Sequence, residues 1–543
     1  VLTALTESYW PAEQSGSLDD VTVGGLLRRT AAAVPERTAL VEGIPDAARR
    51  RRWTYAELLA ESERTARALL ARFDPGDHVA VWAPNIPEWV VLEFGAALAG
   101  MVLVTVNPAF KPAELAYVLQ QSKAAGIFLT PEFRGNRMLQ ALDSVRGELP
   151  HLEEVISFDD WQRFLDSGDP ARALPEPTPL DVVQIQYTSG TTGFPKGAML
   201  RHRGIVNNAK LSVERMEIPE GGAWVNPMPL FHTGGCVLGA LGCLWMRGTH
   251  VLLLSFDPAL ALELIETERA VSIGAVPTMQ IALLEAQQQV HRDVSSLHRL
   301  LAGGSLMPAP LVERVEQTYG ARFCNMYGQT ECSPVATMIA PDDSLDDKAH
   351  TVGRALPYTE VRIVDPATGD TVPCGSVGEI CTRGYHVMLG YHDNPQATAE
   401  AIDADGWLHT GDLGAMDERG YVRIEGRLKD MIIRGGENIY PREIEDMLFK
   451  HPAVAEAAVV GIPDETWGEQ VAAFVRRAHD DVTGRELFAW CRQHLAPYKA
   501  PTRWVFVETF PLTASGKVQK FVLRKQFVEG AFAASAEVIR GGA

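Results

Sequence analysis

The chain has 543 residues, 46% hydrophobic and 22% charged, with a formal net charge of −19 at pH 7. That length exceeds one hydrophobic core and predicts two or more domains, and the acidic balance argues against nucleic acid as the main partner. The seven cysteines, none in Cys-x-x-Cys spacing, argue against a disulfide framework or zinc site and for a reducing, cytoplasmic location.

From 20 to 190, short apolar runs alternate with amphipathic segments. Residues 78–82, 102–106 and 126–130 read as strands, and 87–98 and 112–123 as helices. This alternation predicts βαβ units on parallel sheets. The uncharged stretch 94–108 contains Gly95, Gly100 and Asn107 and falls short of the ~20 apolar residues of a membrane span. The arginines at 49–52 sit beside a Gly/Pro/Ala-containing loop and read as a solvated turn.

An apolar strand at 182–185 then runs into Gln186-Tyr187-Thr188-Ser189-Gly190-Thr191-Thr192-Gly193-Phe194-Pro195-Lys196-Gly197. Glycines let backbone N–H groups turn toward a ligand, and hydroxyls with one lysine complete a cradle for a polyanion. A surface turn needs fewer such residues and no fixed lysine. The spacing is neither a Walker A loop nor a Rossmann Gly-x-Gly-x-x-Gly, so phosphate binding is predicted without either motif.

Alternation continues through the expected strands 250–254 and 297–301 and the helix 259–268. From about 350 the period becomes two, at 360–364 and 421–424, with frequent turns, which predicts an antiparallel β subdomain. Past Gly426-Arg427-Leu428-Lys429-Asp430 a small α+β unit follows. Its first helix starts at Pro441 with Ile444, Met447 and Leu448 on one face, and its last, at 518–527, carries Lys520, Arg524 and Lys525.

Six further motifs accompany the loop, in order. They are Pro229-Leu230-Phe231-His232-Thr233-Gly234-Gly235; Ala302-Gly303-Gly304-Ser305; Asn325-Met326-Tyr327-Gly328-Gln329-Thr330-Glu331; Gly406-Trp407-Leu408-His409-Thr410-Gly411-Asp412; 426–441; and Pro511-Leu512-Thr513-Ala514-Ser515-Gly516-Lys517. Asn325 is expected just after a strand at 322–324. Together the motifs resemble the AMP-forming adenylating superfamily of acyl-CoA synthetases, peptide-synthetase adenylation domains and luciferases. The resemblance spans about 20 to 530, and the second half, with 383–391 and 429–441, resembles medium-chain acyl-CoA synthetases most.

The resemblance implies an α/β fold: a large N-terminal domain (1–428) of two mixed βαβ subdomains plus an antiparallel β subdomain, and a small mobile α+β C-terminal domain (429–543). It implies ATP-dependent ligation of a carboxylic acid to CoA through acyl-AMP. ATP would meet Thr188, Ser189, Gly190, Thr191, Thr192, Gly193, Lys196, Gly303, Gly304, Ser305, Asn325, Met326, Tyr327, Gly328, Gln329, Thr330, Asp412, Ile424, Arg427 and Lys517. Glu331 with Thr188 would hold Mg²⁺, which favours carboxylates and phosphate oxygens. His232, Gly234, Gly235, Val276, Gly303 and Val335 would line the acyl pocket. Lys517 would act in adenylation and Lys429 at the hinge, and Gly435, Gly436 and Glu437 would face CoA.

The residues alone suit plainer roles as well. Tyr327 reads first as a core aromatic, Lys517 as a solvated loop lysine and His232 as a satisfied core histidine; Asp412 reads evenly as a turn residue, and Glu331 also suits a surface carboxylate after a turn. His232 is expected to gate or position, since a carboxylate needs no general base at neutral pH. The small residues after His232 predict medium-chain or aryl acids. A stand-alone adenylation enzyme loading a carrier protein, a luciferase-type oxygenase and a nucleotide-sensing module are the rival readings. A homodimer is among the assemblies left open.

Overall fold

A computed structural model describes residues 4–188, 195–303, 307–435, 437–478, 482–512, 518–533 and 535–539. The described chain divides into two compact units. One comprises residues up to 362 with 381–410 and 416–423; the other comprises 363–380, 411–415 and everything from 424.

The first unit contains two large mixed sheets. In the seven-stranded one, His78–Trp82, Val102–Thr105, Gly126–Leu129, Glu154–Ser157 and Val182–Thr188 run parallel. Lys196–Arg201 and then Gly390–Tyr391 add antiparallel strands beyond Val182–Thr188. The nine-stranded sheet carries Ala223–Asn226, Thr249–Leu253, Ala270–Gly274, Arg299–Gly303 and Arg322–Gly328 in parallel. Val335–Met338 pairs antiparallel with Arg322–Gly328.

Local sequence explains where the helices begin. Thr54 caps Tyr55–Leu70 in a capping box with Glu57. Proline opens Pro87–Leu98, Pro112–Gln121, Pro258–Thr267 and Pro277–Val290, where its missing N–H has no intrahelical partner to lose. Pro87–Leu98 is buried on every side, which explains its near-continuous apolar sequence. Cores of Val, Ile and Leu fill the space between sheets and helices.

Two expectations change. The strand at 322 runs on to Gly328, so Asn325, Met326 and Tyr327 lie within it. Backbone pairing to Arg299–Gly303 on one side and Val335–Met338 on the other outweighs a sequence poor in β-branched residues. The arginine run is exposed at Arg49, Arg51 and Arg52, as a solvated turn would be, but Arg50 is enclosed and three of the four are ion-paired. Arg50 reaches Glu263 at 2.6 Å with its side chain only 5% exposed, Arg51 pairs with Glu42 and Glu88, and Arg52 pairs with Glu268.

The period-two segments are strands, at Thr359–Val364, Gly378–Gly384, Leu408–Met416 and Val422–Arg427. In the second unit, Val454–Asp464 and Gly468–Arg477 form a long hairpin, joined by Arg503–Phe506 in parallel. Pro441–Phe449 covers it, with Ile444 and Leu448 in the core. Among the described residues no helix is long and apolar enough to cross a membrane.

Candidate active site

Three of the residues singled out in the sequence converge in the first unit. Val182–Thr188 and Lys196–Arg201 form a hairpin in which Thr188 faces Lys196, and the Thr188 hydroxyl donates to the Lys196 carbonyl at 3.4 Å. The hairpin therefore brings the two ends of the glycine-rich loop together. On the far side of Lys196–Arg201, Gly390 pairs with Met199 and Tyr391 with Ala198. The Tyr391 phenol donates to Glu331 Oε1 at 2.8 Å, and the Lys196 ammonium stands 4.8 Å from the centre of the Tyr391 ring. Glu331 is 6% exposed, so it is not a surface carboxylate, and its carbonyl accepts from Met388 N–H at 2.9 Å. Burial, then the Glu331 carboxylate, pushes the Tyr391 phenol well above its ordinary pKa, so it stays protonated and donating.

Strand ends supply the adjoining wall. Ala302 is in register with Asn325 and Gly303 with Met326, while Tyr327 faces Thr337 across the antiparallel pair. Asn325 is buried; its Oδ1 accepts from Met326 N–H, and its Nδ2 has no hydrogen-bond partner among the described residues. A buried amide donor left this way calls for an acceptor. Gly328 has no alternative: a Cβ there would stand 1.9 Å from the Pro334 carbonyl oxygen. Gln329 and Thr330 lead from the strand to Glu331, and Gln329 Nε2 donates to the Thr410 carbonyl at 3.5 Å.

The segment 228–235 is held from below. Asn85 donates to the Met228 carbonyl at 2.9 Å and accepts from Leu230 N–H at 2.9 Å. His232 is exposed rather than a core residue, and its Nδ1 accepts from Gly234 N–H at 3.1 Å. The segment after it is a π-helix, Gly234–Leu241, a rare winding that is frequent at functional sites. A Cβ on Gly235 would meet the Pro229 carbonyl at 2.2 Å, whereas one on Gly234 would make ordinary contacts at 3.4 Å and beyond. Val276 is half-buried where the Pro277–Val290 helix starts. Val335 is 1% exposed in a core cluster with Leu238, Leu301 and Cys324.

Beneath this segment runs a buried polar chain. Gln184 donates to Glu93 Oε1 at 2.7 Å, Gln186 donates to Gln184 Oε1 at 2.8 Å, and the Cys236 thiol lies 3.1 Å from Gln186 Nε2. Burial raises the Glu93 carboxyl to about 8 and holds the Cys236 thiol far above its usual value. No sequence motif marks Glu93, and Tyr391 closes the stretch 383–391 without a role assigned to it there. Both come to the site through tertiary contacts.

In the second unit, Arg427 pairs with Asp412 at 3.2 Å, and Ile424 shares the strand of Arg427. Lys429 is exposed in the single turn Leu428–Asp430. Gly435 adopts φ +60°, donates its N–H to the Trp467 carbonyl at 2.8 Å and packs against the half-exposed Trp467 ring, with Glu437 exposed on the next strand. Ser189, Gly190, Thr191, Thr192, Gly193, Gly304, Ser305, Gly436 and Lys517 lie outside the described residues.

The family profile described as AMP-binding enzyme matches residues 27–392, and that of the AMP-binding enzyme C-terminal domain matches 443–517. The chain belongs to the AMP-binding enzyme family. It is 42% identical over 538 residues to YngI of Bacillus subtilis strain 168, whose name describes an acyl-CoA synthetase, covering 94% of this chain and 97% of that one. It is 38% identical to the human medium-chain acyl-CoA ligase ACSF2, a mitochondrial protein, covering 94% and 88%. Among solved structures it resembles ATP-bound MatB from Rhodopseudomonas palustris, with TM-score 0.85, 30% identity and coverage of 94% and 99%. It also resembles the o-succinylbenzoate CoA synthetase MenE of Bacillus subtilis bound to its acyl-adenylate, with TM-score 0.81, 30% identity and coverage of 92% and 97%. These likenesses bear out the α/β fold class of a large N-terminal part and a small C-terminal one.

Proposed function

We propose that this AMP-binding enzyme is an ATP-dependent carboxylate–CoA ligase. The acid attacks the α-phosphorus of ATP to give acyl-AMP and pyrophosphate, and the CoA thiol then displaces AMP. The observation that carries the reading is that Tyr391 contacts both Glu331 and Lys196, and Lys196 faces Thr188 across the hairpin strands that flank the glycine-rich loop.

Bringing an anionic acid to a polyanion makes catalysis a matter of placement and charge neutralisation. Lys196 supplies positive charge where the loop closes, and Lys517 neutralises charge at the α-phosphate during adenylation. Gly303, Asn325 and Tyr327 line the base, with the Asn325 amide as its donor, and Asp412 and Arg427 take the ribose and phosphate. A carboxylate and a hydroxyl are hard oxygen ligands, so Glu331 and Thr188 fit Mg²⁺; they would hold the ion, which would offset phosphate charge. His232 positions the acyl carboxylate. The protein divides near 428, and the smaller domain turns about Lys429 so that Gly435, Gly436 and Glu437 meet CoA in the second step.

Medium-chain or aryl acids are the substrates we favour. Gly234 leaves room at the carboxylate end, since even a methyl there meets nothing closer than 3.4 Å. The names of the ACSF2 and MenE relatives point the same way. Six buried thiols and one half-buried thiol suit a reducing compartment, and we place the enzyme in the cytoplasm.

A pyrophosphate-release screen over aliphatic and aromatic acids tests the reading, with thioester formation measured on free CoA and on carrier proteins. Medium-chain or aryl acids with free CoA are the expected result. Acetate as the best substrate overturns the pocket assignment, and thioester formed only on a carrier overturns the CoA assignment.

A further inference from the structure

Tyr391 touches both charges of the candidate phosphate and metal site with one side chain. Its hydroxyl donates to Glu331 Oε1 at 2.8 Å, and its ring lies 4.8 Å from the Lys196 ammonium. We propose that Tyr391 is a positioning residue for the adenylation step, holding the Glu331 carboxylate for the divalent cation and the Lys196 ammonium for the polyphosphate.

A carboxylate and an ammonium at one partly buried site attract each other strongly. Collapsed into an ion pair, they would serve neither metal nor phosphate. An aromatic ring presents a negative face to a cation and, in tyrosine, a donor at its rim. It can therefore engage each charge separately and keep both in place.

The tyrosine is itself held firmly. Its backbone pairs with Ala198, and the flanking Leu389 and His392 N–H groups donate to the Met199 and Gly197 carbonyls at 2.9 and 2.8 Å. The Tyr391 N–H donates to the Thr398 hydroxyl at 2.9 Å, which in turn donates to the Asn394 carbonyl at 2.9 Å. Gly390, at φ +147°, permits the approach: a Cβ there would stand 2.7 Å from the Thr398 methyl. The strand that carries Lys196 and the turn that carries Tyr391 are thus one hydrogen-bonded piece. This is the arrangement expected of a residue that orients a metal ligand, whose loss typically weakens metal affinity about 10–100-fold.

The inference rests on Glu331 being the metal ligand, and the experiment separates the two. Mn²⁺ is titrated by electron paramagnetic resonance into the full-length enzyme saturated with the α,β-methylene analogue of ATP, so that binding is read without turnover. Tyr391→Phe keeps the ring and removes the donor; it should weaken Mn²⁺ binding about tenfold while leaving analogue affinity near wild type. Tyr391→Leu removes the ring face as well and should also weaken analogue binding. Glu331→Gln should weaken Mn²⁺ most.

Wild-type Mn²⁺ affinity in Tyr391→Phe, with Glu331→Gln impaired, overturns the role of Tyr391. Unchanged Mn²⁺ affinity in Glu331→Gln removes the metal reading and this inference with it. Equal analogue affinity in the Phe and Leu variants overturns the part assigned to the ring face. Melting temperatures of each variant separate a folding defect from weakened binding.

Discussion

Replacing Glu93 by Gln should flatten the pH dependence of stability. Glu93 is fully enclosed, accepts from Gln184 through Oε1, and has no partner for Oε2 among the described residues. Burial moves its carboxyl from 4.5 to about 8. The folded state therefore keeps a proton that the unfolded chain has already lost. Its contribution is most favourable below pH 4.5, declines as pH rises through the window from 4.5 to 8, and levels off above it.

Linkage over that window gives a penalty of about 3 kcal/mol at pH 7 and a loss of roughly 2 kcal/mol between pH 6 and pH 8. Glutamine has the shape of the neutral acid, accepts the same Gln184 bond and does not titrate. Urea unfolding of both proteins at pH 6, 7 and 8 should show the gap widening by roughly 2 kcal/mol across the series, in favour of Glu93→Gln at pH 8. Glu93→Ala, which leaves Gln184 without its acceptor and opens a void, should be less stable than wild type at pH 6. Parallel pH profiles for wild type and Glu93→Gln would falsify the assignment of a neutral, buried acid.

Three further tests address the reaction. Lys517→Ala should lose acid-dependent pyrophosphate release by about 10²–10³-fold yet convert synthetic acyl-AMP to acyl-CoA near the wild-type rate; equal loss of both steps, or of neither, removes Lys517 from adenylation. Lys429→Pro fixes φ near −65° and should keep acyl-AMP formation while losing thioester formation, and equal loss of both rejects the hinge. Gly235→Ala should destabilise the 228–235 segment, because its methyl would strike the Pro229 carbonyl at 2.2 Å. Gly234→Ala should fold normally and Gly234→Trp should narrow the range of acids, as read by melting and by the acid screen; an unchanged acid range in Gly234→Trp takes that position out of the pocket.

Much of the fold could be read from local pattern. Residues 78–82 and 87–98 coincide with their elements because an apolar run bounded by turn residues, and a proline at a helix start, act within a few residues. The strand through Asn325, Met326 and Tyr327 could not be, since its pairing depends on neighbours 23 residues before and 7 to 12 after. The site divides the same way. Thr188 and Lys196 lie on one hairpin whose loop composition announces them. Tyr391 reaches Glu331 across 60 positions and Gln184 reaches Glu93 across 91, and contacts of that span carry no local signature. The π-helix at 234 is also invisible to a 3.6-residue period, since glycines and small apolar residues suit either winding.

The cysteines have a practical consequence. Cys236, Cys243, Cys324, Cys332, Cys381 and Cys491 are buried, and only Cys374 is half-buried. Thiol reagents attack the thiolate, and burial both hides those six sulfurs and, at Cys236, Cys243, Cys324 and Cys491, suppresses ionisation. The native chain thus carries a single chemically addressable thiol in the segment 363–380. A fluorophore attached there, with no cysteine removed, would report on the second unit while ATP, acid and CoA are added in turn.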